Sequence, residues 1–344
     1  MGSEKIFSGR IWDGEAFEDG YIAVDDGIIR SVVYGETAKD ADFTGCIIPG
    51  AVDTHTHVGD SGLILDRKYG LEELVAPPNG LKHRYLRDTD GVTLCKNMSD
   101  YSERLIHSGV SRFMDFREGG AEGARLLRSA SDRAVILGRP VSDEYDPNEI
   151  DEILSYADGI GIPSITDLDH GYIDSIADHV HRKNKMLALH VSERIREDID
   201  YVISLQPRFV VHMVQATDDD MRKCADNGIP ISVCPSSNMY FGMIPPVGRM
   251  LDSGADVSLG TDNGMLFPSA DYFSEVRLLS ELLTAQGAAS DSAYKVAFAC
   301  GHKVLYDDTL TVGKTGKRSD FIAFPCTETE LLGGNTKGSV RCGP

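Results

Sequence analysis

Residues 49–57 read Pro-Gly-Ala-Val-Asp-Thr-His-Thr-His. In an extended strand, side chains at i and i+2 point to the same face. His55 and His57 therefore project together from the end of an apolar run. Two imidazoles converging at that spacing can ligate one Zn²⁺, at metal–nitrogen distances of about 2.0–2.1 Å. Two hydrogen-bonded polar residues at a strand end would give the same pattern, so the pair alone decides little. Three further ligand-type residues add weight: His190 closes KMLALH, His212 sits within RFVVHMV, and Asp262 follows VSLGT. Each stands at the carboxyl end of an apolar run. The other histidines, His83, His107, His170, His179, His181 and His302, fall on loops or helix-like stretches. Apart from His83, they are expected at the surface or as helix caps.

These residues need a frame that brings strand ends together. Short apolar runs recur at 46–53, 110–116, 133–138, 157–162, 185–191, 208–214, 229–235 and 255–262, each followed by a polar turn and a helix-like stretch. Buried parallel strands alternating with helices have this signature. Eight such repeats close a (β/α)8 TIM-type barrel, whose sites lie at the carboxyl ends of the strands. An open doubly wound sheet is the alternative, but it would want a glycine-rich phosphate turn after its first strand, and histidines stand there instead. Some fifty residues separate the first two runs, including GLEELVAPPNGLKHRYLRD, and a connection of that length is expected to rim the site.

The two chain ends have another texture. KIFSGRIWDG, FEDGYIAVDDG, IIRSVVYG and DFTGCIIPG at one end, and DDTLTVGKTG and SDFIAFP at the other, read as short strands bounded by Asp-Gly and Gly turns. Residues 1–48 and 306–344 are thus expected to build one small β-sandwich domain, and residues 49–305 the barrel. SERIRED, after His190, reads as a helix start.

Composition bounds the function. The 344 residues carry a net charge of −20, which argues against nucleic-acid or anionic-membrane partners. Hydrophobic residues make up 41% and charged residues 26%, an ordinary globular balance. No apolar run approaches the roughly 18 residues of a membrane span, MGSEKIFSGR has no signal-peptide core, and Ile6 departs from the myristoylation pattern. Seven cysteines without a C-x-x-C pair suggest a reduced, cytoplasmic setting rather than a disulfide framework. The expected partner is a small-molecule substrate, and a homo-oligomer is left open.

The ordered set PGAVDTHTH, His190, His212 and Asp262, with strand-rich ends, resembles the amidohydrolase superfamily over nearly the whole chain. Finer details resemble its deaminase and chlorohydrolase branch, which includes cytosine, guanine and S-adenosylhomocysteine deaminases. They are His190-Val191-Ser192-Glu193 as H-x-x-E, Cys234 to Gly242 as C-P-x-S-N-x-x-x-G, and Gly260-Thr261-Asp262-Asn263 as the G-T-D segment.

That resemblance implies roles. His55, His57, His190 and Asp262 would ligate one divalent metal, zinc foremost with iron or manganese as alternatives. A bound water would have its pKa lowered toward about 7, and Asp262 would orient it. Glu193 would shuttle protons, unless it is a carboxylate at a helix start. His212 would hydrogen-bond the attacking oxygen, with a second-metal ligand or core histidine as the other reading. No lysine occurs in 97–182, where binuclear relatives carry a bridging carboxylated lysine, which favours one metal and leaves a Glu or Cys bridge open. The implied reaction adds hydroxide to an aminated heterocycle and releases ammonia. A cyclic-amide or amide hydrolase of the same fold is the alternative, and a non-catalytic scaffold the remotest. For substrate contacts the candidates are Lys82, His83 and Arg84 in the first connection, Arg117 and Glu118 after the second strand, and Asn238, which would otherwise hold its own loop.

Overall fold

The computed structural model describes residues 4–305 and 314–343. Four strands open the chain: β1 (Lys5–Trp12), β2 (Phe17–Asp25), β3 (Ile28–Tyr34) and β4 (Phe43–Pro49). The middle supplies β5 (Ala51–His57), β6 (Val110–Arg117), β7 (Ala134–Gly138), β8 (Gly159–Ile162), β9 (Met186–Val191), β10 (Phe209–His212), β11 (Ile231–Val233), β12 (Val257–Leu259) and β13 (Asp262–Asn263). Near the other end lie β14 (Phe321–Phe324) and β15 (Val340–Cys342). The expected strand segment DDTLTVGKTG lies outside the described residues as far as position 313.

Strands from both ends share one six-stranded sheet in the order β15-β14-β4-β1-β2-β3. The β1–β2 hairpin turns at Asp13, whose carboxylate accepts the amides of Glu15 and Ala16 at 2.8 Å each. Phe7, Ile11, Ile22, Val24, Ile29, Ile47, Phe321 and Ala323 form its buried core, so residues some three hundred positions apart in sequence share one apolar cluster. By compactness the chain divides into residues 1–52, 108–111 and 272–344, and residues 53–107 and 112–271. Helix Tyr272–Ala285, expected with the barrel, falls in the first of these units.

The middle strands form a nine-stranded sheet in the order β12-β11-β10-β9-β8-β7-β6-β5-β13. Its pairs from β6–β7 through β11–β12, and β13–β5, are parallel. β12 and β13 stand at opposite ends of that order, yet only Gly260 and Thr261 separate them in the chain. The Gly260 amide donates to Val233 O on β11 at 2.9 Å, and the Thr261 amide to His55 O on β5 at 3.0 Å. A Cβ on Gly260 would come within 2.7 Å of the His55 Cβ, so only glycine permits this approach. The sheet thereby curls round on itself as a TIM-like barrel does, which an open doubly wound sheet would not do.

One expected strand is split. Residues 46–53 read as one run, but the chain leaves the six-stranded sheet after Pro49 and enters the nine-stranded sheet at Ala51. At the break, the Gly50 amide donates to Asp320 O at 3.0 Å, and a Cβ there would meet the Ser111 Cβ at 2.8 Å. Apolar continuity conceals a change of partner. The helices after β7, β8, β9 and β10 begin on Asp146, Asp169, Asp198 and Thr217, whose side chains accept the first free amides. SERIRED is such a start only at its last residue, Asp198, so Glu193 lies outside the helix, six residues before Ile199. Among the described residues no helix is long and apolar enough to cross a membrane.

Trp12 is the single tryptophan and is buried beside Phe17 and Tyr294, so its fluorescence reports on the terminal unit. Phe321→Ala removes a fully buried ring from the shared core and is expected to cost about 3–5 kcal/mol of that unit's stability in urea. A loss under about 1 kcal/mol would show that the C-terminal strand does not share the core.

Candidate metal centre

The ends of β5, β9 and β10 and the start of β13 bring His55, His57, His190, His212 and Asp262 together. The His55 ring centroid lies 4.9 Å from His57, 4.8 Å from His190 and 5.6 Å from His212. Ligand atoms of His55, His57 and His190 all lie within 4.8 Å of one another, as do those of His55, His212 and Asp262. Phe116 on β6 stands edge-on against two of the rings, 4.5 Å from His55 and 4.8 Å from His190. The chain turns sharply as it leaves the strands: Ser192, His212 and Asp262 have φ of +51°, +76° and +62°. Such left-handed backbone costs on the order of 1–3 kcal/mol per residue and clusters at functional sites.

Hydrogen bonds set which imidazole nitrogen faces inward. His57 Nδ1 lies 2.9 Å from Phe116 O and 2.9 Å from Glu118 Oε1, both acceptors, so it carries the proton and leaves the Nε2 lone pair free. His190 Nδ1 does the same toward Ile162 O at 3.1 Å. His212 is reversed. The Asn238 amide Nδ2 donates to its Nδ1 at 3.2 Å, which places the His212 proton on Nε2, 3.7 Å from Glu193 Oε1. His55 Nδ1 is buried without a hydrogen-bond partner, and Nε2 has only Asp262 Oδ1 at 3.3 Å, out of line for a hydrogen bond. A buried polar atom without a partner is costly, and a cation would satisfy it. Three imidazoles and a carboxylate are a donor set suited to a borderline divalent ion. The residues present therefore fit a metal.

Electrostatics separates the carboxylates. Burial pushes Asp262 up, but His55, His212 and His57 around it hold its carboxyl well below the usual range. Ser237 Oγ donates to it at 2.5 Å and Asn263 Nδ2 at 2.9 Å. Glu118 is likewise held low against burial by Lys82, His57 and Arg117. Glu193 goes the other way: burial, reinforced by Asp262, pushes it up to about 8. Burial lowers all four imidazoles, His57 to about 4 with Lys82 assisting, so they are neutral at pH 7.

The site opens into a cavity of about 440 Å³ that reaches His57, His190, Glu193, His212 and Asp262. Of the expected substrate contacts, Lys82, His83 and Glu118 line it. Lys82 is buried rather than solvated, 2.6 Å from Glu118 Oε1 and 3.1 Å from Asn263 Oδ1. His83 bonds Val75 O at 3.1 Å. Arg84 is exposed and outside the cavity wall. Arg117 is turned away, bonded to Glu118 Oε2 at 2.9 Å and packed against Met98 Sδ. Asn238 is buried off the wall, holding Glu193 at 3.2 Å as well as His212.

Two histidines expected at the surface or as helix caps are buried, each with a partner on a distant segment: His179 bonds Asp151 at 2.9 Å and His302 bonds Gly50 O at 2.9 Å. Sequence reasoning passed over Asp60, Arg139 and Asn263. Asn263 sits in the quoted GTDN, and Arg139 directly follows the third barrel strand, so the strand-end rule would have found both. Arg139 lines the cavity, and among the described residues its guanidinium has no ion pair or hydrogen bond; burial lowers its pKa.

The tautomers are testable. In nitrogen-15 spectra of metal-free protein at pH 7, His57 and His190 are expected as neutral Nδ1–H rings and His212 as a neutral Nε2–H ring. An Nδ1–H signature for His212 would show that Asn238 does not donate to it.

The sequence matches the amidohydrolase family over residues 46–335. An uncharacterised protein of Methanocaldococcus jannaschii is 30% identical, covering 96% of this chain and 93% of the relative. A 5-methylthioadenosine/S-adenosylhomocysteine deaminase of Thermotoga maritima is 26% identical, covering 87% of this chain and 77% of the relative. Among solved structures, a zinc-bound adenosine deaminase of Xanthomonas campestris superposes with a TM-score of 0.73 at 15% identity, covering 98% of this chain and 90% of that one. That last likeness speaks for the fold alone. With a family match over most of its length and the strand-end histidines in place, the chain belongs to the amidohydrolase family, metal-dependent hydrolases of C–N bonds other than peptide bonds.

Proposed function

We propose that the protein is an aminohydrolase that releases ammonia from an aminated heterocycle. One observation carries this reading: Glu193 stands half-buried on the cavity wall beside the histidine cluster, held by Asn238 at 3.2 Å and pushed up to about 8 by burial. A carboxyl that keeps its proton at neutral pH next to an ionised carboxylate is the pairing general acid–base chemistry uses. Deaminase names among the relatives agree with it.

In this reading His55, His57, His190 and Asp262 hold one divalent ion, zinc foremost, with iron or manganese as alternatives. Such an ion supplies a water acidic enough to react at neutral pH. Asp262, poised as an ionised carboxylate, takes a proton at its oxygen and orients the attack. Glu193 delivers its proton to a ring nitrogen of the substrate, so that the carbon bearing the amino group accepts the new C–O bond. His212 donates from Nε2 to the incoming oxygen. Glu193, now ionised, takes the proton of the new hydroxyl as the C–O double bond forms and passes it to the amino nitrogen, so that the C–N bond breaks and ammonia leaves; the proton held by Asp262 then restores Glu193. The absence of lysine from 97–182 supports a single ion.

The chain ends 1–48 and 306–344 are read as a small β-sandwich and 49–305 as the barrel. The shared terminal sheet supports the first, and the chain order of βα repeats supports the second. The partner is a small molecule and not a nucleic acid, in keeping with the charge of −20. None of the seven cysteines is in a disulfide, which suits a reduced cytoplasm.

Screening aminated purines, pyrimidines, pterins and triazines for ammonia release identifies the substrate. Against it, Glu193→Gln is expected to keep fold and metal but lose about 10²–10⁴-fold in kcat. His190→Asn loses metal first and activity with it. Near-normal turnover in Glu193→Gln would instead favour an amide hydrolase, in which Asp262 alone serves as base.

A further inference from the structure

We propose that Lys82 is a positioning residue that aligns two members of the metal-holding set at once: His57 through Glu118, and Asp262 through Asn263. The inference rests on the reading above that His57 and Asp262 hold the ion.

Lys82 belongs to helix Leu81–Asp88 in the long connection after β5, and only 3% of it is exposed. A buried ammonium must be met by acceptors or it is strongly destabilising. Lysine has three N–H donors and no acceptor. Here Nζ faces Glu118 Oε1 at 2.6 Å, Asn263 Oδ1 at 3.1 Å and Asp60 Oδ2 at 3.7 Å. Two close contacts, with the Asp60 carboxylate near by, tie the ammonium to three different segments of the protein.

Both strong contacts are relayed onward. Because lysine only donates, it fixes the Asn263 carbonyl toward itself, and the amide nitrogen then points to Asp262 Oδ1 at 2.9 Å. Because Nζ lies 2.6 Å from Glu118 Oε1, it holds that carboxylate where the same oxygen stands 2.9 Å from His57 Nδ1. Together with Phe116 O, also 2.9 Å from Nδ1, that contact keeps the His57 proton off Nε2, the nitrogen that faces His55 and Asp262. One side chain from outside the barrel strands thus sets a tautomer on β5 and a carboxylate orientation on β13. The triplet Lys82-His83-Arg84, read from sequence as a candidate anion clamp, has its first member turned to a different task.

The test uses metal-free full-length protein titrated with zinc against a chromophoric chelator. Lys82→Met is expected to weaken zinc binding about 10–100-fold, the usual range when a residue that orients a ligand is lost. His57 should also lose its fixed Nδ1–H signature in nitrogen-15 spectra. The double variant Lys82→Met with Glu118→Gln should lose less than the product of the two single losses, since both act on one path. If Lys82→Met fails to fold, Asn263→Ala, which leaves the Lys82–Glu118 pair in place, must weaken zinc binding on its own. Zinc affinity within twofold of wild type in Lys82→Met, with only KM raised, overturns the proposal in favour of substrate contact. Multiplying losses in the double variant, or unchanged affinity in Asn263→Ala, also overturn it. A wild type that binds zinc but deaminates nothing refutes the activity and leaves this result standing. A wild type that binds no divalent ion refutes both.

Discussion

Four imidazoles can share one buried pocket only while none of them is charged. Desolvation sees to that, pushing the acid constants of His55, His57, His190 and His212 below their ordinary values. The consequence is a pocket of lone pairs and dipoles into which positive charge must come from elsewhere. The carboxylates answer the same burial in opposite ways. Asp262 is surrounded by the rings and stays ionised, while Glu193, at the mouth of the cluster, keeps a proton to about pH 8. Two acids lining one cavity thereby hold opposite protonation states. Neither has special chemistry; what differs is how many favourable neighbours each has.

The backbone sustains this crowding. A ring can be aimed inward from a strand end only if the chain then turns away at once, and Ser192, His212 and Asp262 do so in the left-handed region. Gly260 lets the last barrel segment close against β5 beside His55. Strain at these points is tolerated because β9 and β10 are held on both sides by parallel partners.

Much of this was legible in the sequence because it depends on spacing. His55 and His57 two apart, and His190, His212 and Asp262 each at the end of an apolar run, follow from strand periodicity and from the rule that barrel sites lie at carboxyl ends. Glu193 came from its distance to His190. What stayed hidden depends on convergence from remote segments. Nothing local says that Lys82 is buried, since its neighbours Arg84 and Arg87 are exposed. Its pairing with Glu118 and Asn263 spans 36 and 181 positions. His179 and His302 were misplaced for the same reason: an acceptor reached only in the folded chain makes a buried imidazole acceptable. The run 46–53 misled in a different way, because apolar texture records burial and not which sheet provides it.

The buried lysine in the first connection has an evolutionary consequence. Rim loops of a barrel are often treated as exchangeable parts, so that a new specificity arises by replacing one loop with another. Here the helix Leu81–Asp88 carries a side chain that contacts Glu118 and Asn263 beside the histidine cluster, so wholesale replacement of that connection would disturb the cluster's surroundings together with the specificity. Divergence toward new substrates has freer material in the cavity wall at Leu71–Pro77 and at Arg194 and Ile195, which among the described residues make no hydrogen bond or ion pair to the ligand-type residues. A lineage of such enzymes should therefore vary in the first half of the connection while holding the second half still.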